Sequence, residues 1–254
     1  VKACGPAQIL TCPSCVQGLG NLFFQRLQVH EHIREKTMKY IVGALLCLFV
    51  AGVYGTGQAA GVDNSIYKTL LEKHVKKGRV SYVGFKADEA VFDRYLAILS
   101  NTDPELLTRN HKFAFYINAY NAFTIKLILT KYPDINSIKE IGSFFSNPWS
   151  KKFIPLNGRT VSLDYIEHEV LRPKFKDARI HFAINCAAKS CPPLLNRPYE
   201  GDTIETQLDT QTKAFINTPR STFVKENTLF LSKIFDWFEE DFNDNPLGFI
   251  QMYA

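Results

Sequence analysis

HKFAFYINAYNAFTIKLILT, residues 111–130, is the stretch on which the fold turns. Wound at about 100° per residue, it places apolar side chains on almost every side. It therefore reads as a helix buried all round, the centre against which the rest packs. Tyr132-Pro133 ends it. Two amides interrupt its apolar character. Asn118 and Asn121 stand three apart and share a face. Burying an unpartnered amide costs roughly 1–3 kcal/mol, so both must meet polar partners. Either one of them orients a catalytic imidazole or contributes to an oxyanion site, or both hold the backbone of a neighbouring loop.

The flanking segments fall into helices and tight hairpins. Residues 64–77 read as an amphipathic helix, capped near Asp63 or Asn64 and stopped by Gly78. Val80 to Val83 suits a short strand. Asp88 to Leu99 is helical, with Val91, Tyr95 and Ile98 on one stripe, and Asp103 to Leu107 starts a short helix. Phe153 to Val161 forms a hairpin about the Asn157-Gly158 pair. Ser162 then caps the helix SLDYIEHEVLR, which should end before Pro173. Ala178 to Asn185, ARIHFAIN, reads as a buried strand. Thr203 to Phe215 is helical, Thr222 to Ser232 is a hairpin about Glu226-Asn227, and Phe235 to Phe242 is a short aromatic helix. The class is α+β, with helices packed around a small, mainly antiparallel sheet.

Of the 254 residues, 46% are hydrophobic and 22% charged, which suits one globular domain with appendages. The net charge of +5 is spread without a long basic run, so a nucleic-acid arm is excluded. KHVKKGR, Lys73 to Arg79, reads as cations complementing the end of a helix dipole. Residues 38–60 have the three-part layout of a signal peptide: Lys39, then an apolar run of about 15 residues, then small residues with cleavage after Ala59 or Ala60. That run is short beside the ~20 residues a membrane span needs. Residues 1–37, with Cys4, Cys12 and Cys15, then read as an upstream or mis-started segment. The expected domain is 61–254, periplasmic or secreted. Five of the 30 basic and two of the 25 acidic residues lie before it, so it is nearly neutral. Its cysteines are Cys186 and Cys191, in a compartment that permits disulfides.

HFAINCAAKSCPPLL, residues 181–195, holds both. Cys186 follows the expected strand and precedes small residues, a setting that suits an exposed nucleophile. The same spacing allows a Cys186–Cys191 disulfide, or two structural thiols. A thiol nucleophile needs a base. His74 belongs to a basic helix end and His111 to a helix start. Strand alternation turns His181 away from Cys186. His168, on the flank of its helix beside Asp164, is the better candidate. Paired zinc-ligand spacing is missing, and so are a phosphate-cradling glycine loop and a G-x-S-x-G elbow, so no metal or cofactor is expected.

FAFYINAYNAFTI, SLDYIEHEVLR, HFAINCAAKSCPPL and FDWFEEDF, in that order, resemble the bacterial exported branch of the family called domain of unknown function 547. In its plant branch the positions matching Cys186, His168, Asn118 and Asn121 are the same, and the position matching Cys191 is serine. The resemblance therefore implies that Cys191 is dispensable and favours His168 over His181. It also implies a relation to papain-like cysteine peptidases, although the order Asn, His, Cys departs from their Cys-first order.

The expectation is an exported cysteine hydrolase or acyl-transfer enzyme of the peptidase or amidase kind, acting on a peptide or amide substrate, with envelope proteins as candidate partners. Cys186 attacks, His168 moves the proton, and Asn118 or Asn121 orients the site. The alternative is a non-catalytic binding or scaffold module closed by a Cys186–Cys191 disulfide.

Overall fold

The computed structural model describes residues 61–142, 147–188, 191–219 and 221–254. The expected signal peptide and the upstream segment lie outside them. Helix α1 spans Ser65–His74 and runs into the strand pair β1 (Val75–Lys76) and β2 (Arg79–Val80). The turn residues Lys77 and Gly78 both have positive φ, the conformation of a tight two-residue hairpin. A side chain at Gly78 would meet Pro193 at 2.2 Å, and Leu194 N–H donates to the Gly78 carbonyl at 3.2 Å. Only glycine lets this turn dock there.

Ser81 caps α2 (Tyr82–Ala87) by accepting from Gly84 N–H, and α3 follows at Glu89–Asn101. The expected strand over 80–83 is therefore cut short: Ser81 opens a helix instead. Helix α4, Arg109–Leu129, is capped by Thr108 and buried over nearly its whole length. Lys126, near its end, reaches Glu89 and Asp93 on α3. Strands β3 (Ile154–Leu156) and β4 (Arg159–Val161) pair across Asn157-Gly158, again with both turn φ values positive.

Ser162 then starts a helix by accepting from Tyr165 N–H. Its first part, Tyr165–Leu171, has the wide π turn, and α5 (Arg172–Phe175) continues it through Pro173. The expectation that Pro173 stops the helix is thus corrected. Proline lacks the amide hydrogen and clashes with the carbonyl four residues back, and widening the preceding turn relieves both. Helix α6 is a single turn, Ile180–Ala183. This corrects the buried strand expected over Ala178–Asn185. Asp177 accepts from the Arg179 N–H, and its carbonyl accepts from Ile180 N–H. That local turn starts a helix where a short apolar run fits either structure.

Helix α7 (Ile204–Ile216), the pair β5 (Thr222–Lys225) and β6 (Thr228–Leu231), α8 (Ile234–Trp237) and α9 (Pro246–Tyr253) complete the described chain. The fold is α+β. Its strands form three separate antiparallel pairs, and the helices pack about α4. A second apolar cluster gathers Phe182, Phe215, Phe235 and Phe242 with Ile234 and Ile250. Turn α6 lies between the clusters: Ile180 faces the first and Phe182 the second. No described helix is long and apolar enough to cross a membrane.

Candidate functional site: a cleft walled by a disulfide and helices

The two asparagines of α4 bond the backbone of neighbouring loops. Asn118 donates to the Tyr199 carbonyl at 2.7 Å and accepts from Tyr199 N–H at 2.8 Å. Asn121 donates to the Ala183 carbonyl at 2.9 Å and accepts from Asn185 N–H at 2.7 Å. Each amide satisfies one donor and one acceptor of an incoming loop, as a strand neighbour would. Neither bonds an imidazole, so of the two expectations for this pair the structure places both on loop backbone.

Asn121 still matters to the cysteine. Asn185 continues the chain of bonds: its side chain donates to the Pro192 carbonyl at 2.7 Å and accepts from Ala187 N–H at 3.0 Å. Both sides of Cys186 are therefore tied back to α4. Trp149 adds a bond from its indole N–H to the Cys186 carbonyl at 3.2 Å. Ala187 sits in the left-handed region, at φ 59°, a conformation that costs a non-glycine residue about 1 kcal/mol or more. Cys186 and Cys191 are joined as a disulfide.

The disulfide forms part of the wall of a cleft of about 190 Å³. Tyr120, Trp149, Trp237 and Phe238 supply its aromatic lining. His168, His181, Glu167 and Asp164 supply the polar groups. The reason given by the sequence for setting His181 aside fails, because α6 is a helical turn and not a strand. His181 and Cys186 line the same cleft.

The two imidazoles differ in setting. His181 is buried, its ring stacked on Phe238 with centroids 3.9 Å apart. Its Nε2 lies 2.7 Å from Asp241 Oδ2, and Asp241 also accepts from Arg172 Nε at 2.6 Å. Desolvation pushes the Asp241 carboxyl up, but hydrogen bonds from His181 and Arg172 win and hold it down at about 2. An ionised Asp241 fixes the hydrogen of a neutral His181 on Nε2 and leaves the Nδ1 lone pair open. Burial lowers the His181 pKa, with Asp241 acting the other way. His168 is exposed at the rim, its Nδ1 3.3 Å from the Arg172 guanidinium. The guanidinium can only donate, so the hydrogen of a neutral His168 is on Nε2.

Glu167 was not anticipated from the sequence. It is a carboxyl only 9% exposed, 4.0 Å from His181 Nδ1. Burial pushes its pKa up to about 7, against an opposing hydrogen bond with the Tyr120 hydroxyl. The available signal was positional: Glu167 follows Ile166 on the apolar stripe, and a π turn swings it inward. Among the described residues no cluster of three or more His, Cys, Asp or Glu has the arrangement of a metal site.

The family model described as "Protein of unknown function, DUF547" matches residues 104–216. That segment belongs to the DUF547 family. No curated protein and no solved structure matches the chain. The DUF547 segment carries Asn118, Asn121, Glu167, His168, His181 and both cleft cysteines. Asp241, Trp237 and Phe238 come from the chain after it, so the cleft is completed by residues outside the matched DUF547 segment.

Proposed function

We propose that the cleft is the site of a cysteine hydrolase or acyl-transfer enzyme acting on amide bonds, with its nucleophile held as a disulfide until reduced. One observation carries this reading: Cys186 and an imidazole oriented by Asp241 line the same cleft. The geometry favours His181 over His168 as the base: its Nδ1 makes no hydrogen bond to a described residue, with the Glu167 carboxyl 4.0 Å away, while Arg172 occupies that of His168. A disulfide in a chain with an expected signal peptide also supports an exported, oxidising location.

A dithiol reductant converts the Cys186–Cys191 disulfide to two thiols and leaves as its own disulfide. Cys186 then gives its proton to His181 Nδ1, and the thiolate adds to the amide carbonyl carbon. Collapse of the adduct expels the amine, which takes the proton from the imidazole. A thioester remains on Cys186. Water, deprotonated by the same nitrogen, cleaves it and restores the thiol. Asp241 keeps the imidazole oriented and stabilises its cationic form. His168 Nε2–H stands at the rim as a donor to the substrate.

The test is alkylation of the reduced protein by iodoacetamide, mapped by peptide mass from pH 5 to 9. Cys186 should react at pH 6 at least tenfold faster than Cys191, and Asp241→Asn should remove the advantage. A Cys186 profile with the ordinary thiol midpoint of about 8.5, unchanged by Asp241→Asn, overturns the reading. The second reading, a binding module with a structural disulfide, is favoured by the closed Cys186–Cys191 bond. It expects no thiol acceleration at any pH.

A further inference from the structure

A second and larger concavity, about 1200 Å³, adjoins the cleft and shares Cys191, Pro192 and Trp237 with it. Its character is different. Lys76, Lys77, Arg79 and Lys233 line it, and no acidic residue does among the described ones. In the sequence, Lys73 to Arg79 reads as one run of helix-end cations. The structure divides that run. Lys73 and His74 both bond the Asp88 carboxylate. Lys76 reaches only a backbone carbonyl, that of Glu72. Lys77, Arg79 and Lys233 have no side-chain hydrogen bond or ion pair with any described residue.

The backbone that carries two of them is fixed in position. Lys77 and Arg79 flank Gly78, whose turn is pressed onto Pro193 and bonded to Leu194. Lys233 precedes α8, which carries Trp237. Trp237 is 59% exposed, an unusual position for so large an aromatic surface, and it stands where the two cavities meet. Cations that line one concavity without a described acidic partner attract anions and concentrate them there. An aromatic at the junction suits a ligand that changes from apolar to charged along its length.

We propose that this groove binds the acidic side chains of a peptide whose susceptible amide lies in the cleft. The assignment rests on the reading of the cleft as an amide-cleaving site and names its substrate class: a peptide with an apolar residue at the cleavage point and Asp or Glu residues next to it. Carboxylates meet Lys77, Arg79 and Lys233 in the groove, and the apolar residue rests against Trp149 and Phe238. A peptide is favoured over other polyanions because the groove leads into a small, mostly apolar cleft rather than continuing as a basic channel.

The experiment is binding, measured on the intact oxidised chain so that catalysis plays no part. Fluorescein-labelled peptides rich in Glu, and matching peptides with Gln for every Glu, are titrated by fluorescence anisotropy at two salt concentrations. The Glu peptide should bind at least tenfold more tightly at low salt, with the difference shrinking at high salt. The double variant Lys77→Glu, Arg79→Glu and the single variant Lys233→Glu should each lose most of that difference. Lys139→Glu, an exposed change elsewhere, should leave it intact, and circular dichroism checks that each variant is folded. Equal affinity for the two peptides, or a preference untouched by the groove variants, overturns the proposal. So does a tenfold preference for tripolyphosphate or a short oligonucleotide. Alkylation of reduced Cys186 is read separately. Groove failure with a fast thiol leaves the cleft reading standing, and groove binding with an ordinary thiol removes only the chemistry.

Discussion

Helix α4 and the wide-turned helix at Tyr165–Leu171 both bury polar side chains, and they treat them in opposite ways. On α4, Asn118 and Asn121 each satisfy a backbone donor and a backbone acceptor at 2.7 to 2.9 Å. Neither can ionise, and each acts as a fixed clamp. On the wide-turned helix, Glu167 is buried with a carboxyl that changes charge near neutrality. It stands near an imidazole whose own pKa is lowered by burial. Satisfied neutral groups specify structure, whereas titratable groups buried at a cleft wall are a cost to folding and a resource for chemistry.

The comparison breaks most readily at the clamp. Asn121→Ala leaves the Ala183 carbonyl and Asn185 N–H unpaired in a buried place. It should cost about 2–4 kcal/mol, since each orphaned group costs about 1–3 kcal/mol. Denaturant unfolding reads the loss directly, and Asn118→Ala should fall in the same range. If either costs under ~1 kcal/mol, the clamp is not structural.

Glu167→Gln should act in the other direction. Glu167 keeps its proton in the folded state up to about 7, while an ordinary glutamate starts at 4.5. Between those values the folded state binds more protons than the unfolded one, so stability falls as pH rises through the window. The glutamine variant should match the parent near pH 4 and exceed it by on the order of 2 kcal/mol at pH 8. Thermal melts across pH 4 to 8 decide this, and a variant less stable at pH 8 would make Glu167 a structural partner.

Reducing the disulfide should have a similar or smaller effect. The bridge closes a short loop, with a sequence separation of 5. Loop-closure entropy then predicts about 2 kcal/mol of lost stability. The unfolding midpoint with and without dithiothreitol measures it. Asp241 gives the smallest and most pH-specific effect. Its folded pKa of about 2 lies below the usual carboxylate value of 3.8. Its contribution is therefore present above that usual value and lost as pH falls towards 2. Asp241→Asn should flatten the acid limb of the stability curve. An NMR titration of His181 should show its pKa falling further once the carboxylate is gone.

Much of the fold was legible because it is written locally. The three tight turns carry Lys77-Gly78, Asn157-Gly158 and Glu226-Asn227, and all six residues have positive φ. The last two pairs were readable as hairpins from composition alone. The central helix was readable from length and apolar content. ARIHFAIN was misread because a four-residue apolar turn, buried on both sides between two clusters, has no periodicity to show. That one error hid His181, since a strand would have turned it from Cys186.

The sequence by itself determined the helix at the centre, two of the hairpins, the two cysteines and the need of Asn118 and Asn121 for partners. Each follows from spacing within a few residues. Only the tertiary structure decided what those partners are, that Glu167 is buried, and that His181 meets an aspartate 60 residues further along. Burial and long-range pairing set a carboxyl's charge and an imidazole's open nitrogen, and neither is a property of the neighbours in sequence.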